Sequence, residues 1–278
     1  MKVAWAALVG AVAVLLLGAL GAGLLAWSGV YDVSVTAQHT QPVFSMLEGA
    51  MRQSVRLHGR GMPAPPPDLS QRVGRGAQCF RDKCVLCHGA PGVAPAEFGL
   101  SMQPLPGPLV DAAERLDTRE LYWIVRNGVK MSGMPAWQHR MDDADLWAVV
   151  AFVETLPTLS PQDYRTLIER QPRLQCDAAS GTAAATGDAR RGRQALQQNG
   201  CTSCHVVPGV TGSDVHVGPP LRGIASRGLI AGRVPNTTEQ MVRWIRDPKS
   251  IDPLTAMPML GVSEQDARDI AAHLATLH

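Results

Sequence analysis

The sequence predicts a mainly α-helical chain, with one N-terminal transmembrane helix followed by two all-α units built to a common plan. Three observations carry that expectation. Residues 3–27 run without a charge. The pentapeptide Cys-x-x-Cys-His occurs twice, as Cys84-Val85-Leu86-Cys87-His88 and Cys201-Thr202-Ser203-Cys204-His205. Each copy is followed by a loop rich in Pro and Gly, a helical stretch, a Met-Pro pair and a last amphipathic stretch. The same parts in the same order mark an internal duplication. The divisions expected are residues 1–30 for the anchor, 31–67 for an amphipathic helix and a Pro-rich linker, 68–165 for the first unit, 166–187 for a connection and 188–278 for the second unit.

Cys-x-x-Cys-His is the attachment signature of c-type haem. Cysteines three apart lie on one side of a helical turn, so both sulfurs reach the two vinyl groups of a single macrocycle. The histidine that follows turns its ring to the iron as proximal ligand. A zinc ribbon is the alternative use of Cys-x-x-Cys, but its two halves lie about 15–20 residues apart. Here residues 89–200 separate the motifs, and each carries its own histidine. Two covalently bound haem c groups follow, on Cys84, Cys87 and His88 and on Cys201, Cys204 and His205. An aromatic content of 5% suits small units whose apolar core is partly macrocycle. With 26 basic against 24 acidic residues, nothing points to a nucleic-acid partner.

The apolar run exceeds the about 7–15 residues of a signal-peptide core and matches the roughly 20 of a membrane span. No small-x-small cleavage site follows, so an uncleaved anchor is expected. Lys2 would face the cytoplasm and the haem units the periplasmic side of a bacterial plasma membrane. Trp5 and Trp27 sit near its ends. From Val43 a helical period runs through Phe44, Leu47, Met51 and Val55, a helix suited to the membrane surface, a partner subunit or a plain stalk. His39 and His58 read as surface residues. Pro63-Ala64-Pro65-Pro66-Pro67 reads as a stiff extended linker. Helices are expected over about 69–79, 118–127 and 142–156 in the first unit. The second unit should hold a short helix with Gly192 and Leu196, one with Met241, Trp244 and Ile245, and a last one over about 263–277. The run 180–187 is low-complexity. Arg190, Arg191 and Arg193 read as a solvated face rather than a docking patch.

Cys79 and Cys176 remain after haem attachment. In an oxidising compartment they form a candidate disulfide, the alternative being two unpaired thiols.

A six-coordinate haem needs a ligand on its far side, and each unit offers methionine before proline: Met134-Pro135 and Met257-Pro258. A thioether is a soft neutral ligand that favours ferrous iron, and proline fixes the backbone beside it. Met131, Met259 and His139 compete. Met134 and Met257 are preferred because they occupy equivalent positions just ahead of the last helix.

These residues resemble class I cytochrome c domains, and residues 70–278 carry the resemblance. It implies a crossing of first and last helices at Gly76/Phe80 with Trp147/Phe152, and at Gly192/Leu196 with Ile270/Leu274. It also implies a carbonyl that orients the proximal histidine, from Pro219 in the second unit and from Pro106 or Pro108 in the first. Trp244 is placed like the aromatic that hydrogen-bonds a haem propionate. With its anchor, the chain is similar to membrane-anchored dihaem cytochromes c of bacterial respiratory chains. The resemblance implies a relay of single electrons through two His/Met haems, to or within a terminal oxidase branch, and no catalytic residue. Redox partners would be an oxidase, a quinol-oxidising complex or a soluble cytochrome or cupredoxin. An electron-accepting subunit of a membrane dehydrogenase is the alternative, and a dihaem peroxidase a further one.

Overall fold

The computed structural model describes residues 2–170, 176, 186–212, 215 and 217–278. The chain divides into two compact units, 1–179 and 180–278. The low-complexity run read from the sequence lies, through residue 185, outside the described residues.

The first unit begins with helix α1 (Lys2–Ser28), every described side chain of which is exposed. Its 27 residues span about 40 Å at 1.5 Å each, more than a hydrocarbon core of about 30 Å. Among the described residues it is the one helix long and apolar enough to cross a membrane. Then come α2 (Gln41–Gly59), α3 (Val73–Lys83), α4 (Val85–His88), α5 (Glu97–Leu100), α6 (Ala112–Arg115), α7 (Thr118–Asn127), α8 (Asp143–Val153) and α9 (Pro161–Arg170). Starts are capped where the sequence offers an acid: Asp117 accepts from the Arg119 and Glu120 amides while Glu120 reaches back to the Asp117 amide, a full capping box. Asp142 accepts from the Asp145 amide at the head of α8.

The first and last helices cross at a glycine. A Cβ on Gly76 would stand 2.6 Å from the Ala148 carbonyl carbon and 2.9 Å from Phe152 Cβ, so α3 rests directly on the α8 backbone. One turn on, Phe80 and Phe152 meet with ring centroids 5.0 Å apart. Beside the crossing Arg75 grips the buried Asp145 with two bonds, Nε to Oδ1 at 2.7 Å and Nη2 to Oδ2 at 2.6 Å. Cys79, on the same helix, is joined to Cys176 by a disulfide.

Two segments differ from the sequence reading. The expected start of the connection at residue 166 falls inside a helix: residues 161–170 form α9, which packs on α3 and buries Tyr164 against Phe152. The amphipathic stretch forms α2 as its period demands, but α2 docks on α7 of this same unit. His58 is exposed yet stacked on Trp123, ring centroids 5.3 Å apart.

The second unit repeats the plan with α10 (Ala189–Gln198), α11 (Thr238–Arg246) and α12 (Glu264–Leu274). Asp188, Thr237 and Ser263 cap them. Gly192 is the crossing point: a Cβ there would lie 2.9 Å from the Ile270 amide nitrogen. Arg191 is exposed, as expected of a solvated face, yet it is also tied down. It holds the buried Asp269 with Nε at 2.8 Å and Nη2 at 3.0 Å, and Arg193 donates to the Gly209 carbonyl. A two-stranded antiparallel ribbon, β1 (Leu229–Ile230) with β2 (Val234–Pro235), was not foreseen. Its loop carries Ala231 and Gly232 at positive φ, a signal that a lone Ala-Gly pair barely shows in sequence.

A methyl at either crossing must push two helix backbones apart, a cost above the about 1–3 kcal/mol of ordinary overpacking. Gly192→Ala is expected to lose the second unit's haem while the first keeps its own, read as haem content per purified chain falling to about half.

Candidate haem sites

In each unit the Cys-x-x-Cys-His segment is a single tight turn. The His88 amide donates to the Cys84 carbonyl at 2.9 Å, and the His205 amide to the Cys201 carbonyl at 2.9 Å. That turn follows directly on the first helix, which the glycine crossing has already fixed. Cys84, Cys87 and His88 line one side of a cavity of about 350 Å³, and Met134, Pro135 and Ser132 line it as well. Phe80, Leu121, Ile124, Val149 and Val150 supply apolar wall. In the second unit Cys201, Cys204, His205, Met257 and Pro258 line a cavity of about 270 Å³, together with Leu196, Trp244, Ile245 and Ile270. Burial pushes the Cys84 thiol up to about 12, and the Cys201 thiol is raised for the same reason.

The histidines are held alike. Nδ1 of His205 lies 2.7 Å from the Pro219 carbonyl, and Nδ1 of His88 lies 2.8 Å from the Gly107 carbonyl. A carbonyl only accepts, so Nδ1 carries the proton and Nε2 keeps the lone pair a metal needs. In the first unit the acceptor is neither Pro106 nor Pro108 but the residue between them. The common element is the position ahead of proline: Gly107-Pro108-Leu109 matches Pro219-Pro220-Leu221. A following proline bars the helical conformation and holds that residue extended. Arg227, overlooked in the sequence, fastens the second loop by donating to the Pro220 carbonyl at 2.7 Å and the Arg222 carbonyl at 3.0 Å. Gly218 leaves room for the ring, since a Cβ there would come 2.7 Å from His205 Nδ1.

The two Met-Pro loops share a further detail. The Met134 amide donates to Ser132 Oγ at 3.2 Å, and the Met257 amide to Thr255 Oγ1 at 3.2 Å. Ser-Gly-Met-Pro and Thr-Ala-Met-Pro are one turn in two spellings, a hydroxyl two residues before the methionine closing the loop. Met131 and Met259 point elsewhere: they are 88% and 65% exposed and line neither cavity. His139 is likewise outside the lining. Met102, which sequence reasoning did not weigh, and Met51, read there only as part of an amphipathic period, do line the first cavity. Trp244 is buried and lines the second; at the same distance from the cap of α7 the first unit has Ile124, which also lines its cavity.

The donor set fits a covalently held haem: two cysteines on one turn, an imidazole with its Nδ1 already used, and a thioether facing a mostly apolar cavity. Fold and site together define cytochrome c domains, and the chain carries two of them. Residues 71–153 match the family described as "Cytochrome C oxidase, cbb3-type, subunit III", and residues 189–278 match "Cytochrome c". The chain is also similar to "Cytochrome c oxidase subunit 2" of Alkalihalophilus pseudofirmus, 38% identical over 90 residues. That stretch is 32% of this chain and 25% of the relative, so the chain spans about a quarter of that protein's length. Cytochrome c domains bind haem c and transfer electrons; the family matched by residues 71–153 and the relative are both named for a terminal oxidase.

Gly218→Ala forces the His205 ring off its carbonyl. The expected result is one haem of two losing its low-spin spectrum with the other unchanged, as low-temperature EPR of the oxidised protein would show.

Proposed function

We propose that this chain is a membrane-anchored dihaem cytochrome c that relays single electrons to or within a terminal oxidase branch of a respiratory chain. His88 and Met134 would ligate the first haem and His205 and Met257 the second. The observation that carries the reading is the repeated cavity, where one wall offers the Cys-x-x-Cys-His turn and the lining includes a methionine ahead of proline. Haem iron, when bound, supplies the one-electron chemistry. The chain's own residues fix each imidazole through Gly107 or Pro219, present a neutral sulfur, and surround the macrocycle with apolar side chains. A neutral thioether and exclusion of water both favour the ferrous state and raise the potential. Pro219 would act through His205, and Trp244, which lines the second cavity, would donate its indole N–H to a propionate of the haem.

The helix α1 supports single-pass anchoring, with Lys2 on the cytoplasmic side and both haem units on the periplasmic side of the plasma membrane. The oxidase-type match of residues 71–153 favours delivery to a terminal oxidase over service to a dehydrogenase. A peroxidase would need one iron with an easily vacated position, whereas each cavity here is lined by a methionine ahead of proline.

Met134→Ala and Met257→Ala are each expected to remove about half of the weak sulfur-to-iron band near the red end of the oxidised spectrum. Each should also lower one of two reduction potentials. A variant that leaves the band intact assigns that ligand elsewhere, with Met102 next in line in the first unit. Oxidation of the reduced protein by oxygen only when a purified terminal oxidase is added tests the partner.

A further inference from the structure

We propose that α2 is a working wall of the first haem site: Met51, held in place from α7, keeps water from the haem and raises that centre's reduction potential. This rests on the two-haem reading given above. Met51, Val55 and His58 recur at helical spacing and share one face of α2. Along that face Met51 lines the cavity that Cys84, Cys87, His88 and Met134 line. Val55 is 1% exposed, and His58 stacks on Trp123 with rings 26° apart. Gly59 closes the contact, since a Cβ there would lie 3.2 Å from Glu120 Cα. The docking surface is therefore α7, whose other side chains Leu121, Ile124 and Val125 line the same cavity. One helix is shared by the haem cavity and the α2 contact.

Among the described residues the second unit has no such element. Among its described residues the first helix is α10, and its cavity takes Ile230 and Ala231 from the ribbon instead. The two centres thus have the same donor set and different covers. A ferric centre carries one more positive charge than a ferrous one, so an apolar cover costs the oxidised state more and raises the potential. Met51 is a positioning residue in this scheme, a shield and not a ligand.

The test is an optical redox titration of the full-length protein in detergent. The two waves are assigned with a Cys84→Ser, Cys87→Ser variant that lacks the first haem. Met51→Gln is expected to lower the first wave alone, with haem content unchanged, and Met51→Leu to restore it. His58→Ala, which unlocks α2 without touching the cavity lining, should shift the same wave in the same direction by less. It should also release the amide protection of residues 55–59 seen by hydrogen exchange in the parent protein. A first wave unmoved by Met51→Gln, a shift shared by both waves, or α2 amides that exchange freely in the parent overturns the proposal alone. A parent chain with no haem on Cys84 and Cys87 overturns both this proposal and the reading it rests on.

Discussion

Everything in each haem unit hangs on the close crossing of its first and last helices. Gly76 on α8, and Gly192 on α12, allow backbones to touch where any side chain would hold them apart. The consequence reaches both ends of the site. The first helix leads into the Cys-x-x-Cys-His turn, directly in the first unit and through Asn199-Gly200 in the second, and the last begins soon after the Met-Pro loop. Fixing the crossing fixes where the imidazole and the thioether stand. An arginine just before each glycine pairs with a buried aspartate on the last helix, Arg75 with Asp145 and Arg191 with Asp269. A buried carboxylate is tolerated only when it is well bonded, so each pair also specifies the angle at which the helices meet.

The duplication preserves that skeleton while the details drift. Arg75 reaches an aspartate one turn ahead of the crossing, and Arg191 reaches the residue at the crossing itself. The histidine acceptor is a glycine in one unit and a proline in the other; the closing hydroxyl is Ser132 in one and Thr255 in the other. What survives is the geometry of a backbone carbonyl and a backbone amide, which many side chains can accompany. That is why Gly107 eluded a reading that looked for a proline carbonyl, although the proline after it was in plain view.

Covalent chemistry and helix punctuation were the legible parts of this sequence. Two cysteines and a histidine at fixed spacing, Met before Pro, and Asp or Ser at helix starts act locally, and local signals need only a few neighbouring residues. Tertiary choices were not legible. The apolar period of α2 announces a helix with a sticky face and says nothing of what the face meets; a bilayer, a partner and α7 would be read identically. Tyr164 belongs to a mostly polar stretch, and its burial depends on how that stretch folds back on Phe152 of the preceding α-helix. Arg191 is a surface charge as read, but its bond to Asp269 was hidden because Asp269 lies at the other end of the unit.

The Cys79–Cys176 bridge has a bearing on how such a chain is matured. On the proposed periplasmic side the chain's six thiols would meet an oxidising compartment, and four of them would have to escape oxidation until haem arrives. Cys79 and Cys84 are near neighbours in sequence, yet on a helix the step from 79 to 84 turns the chain by roughly 500°, which leaves the two sulfurs about 140° apart around the axis. One sulfur faces the protein interior, where Cys176 meets it; the other faces the cavity. Once α3 has coiled, its own pitch sorts thiols meant for a disulfide from thiols meant for thioethers. An oxidant encountering the chain before that point would find no such distinction.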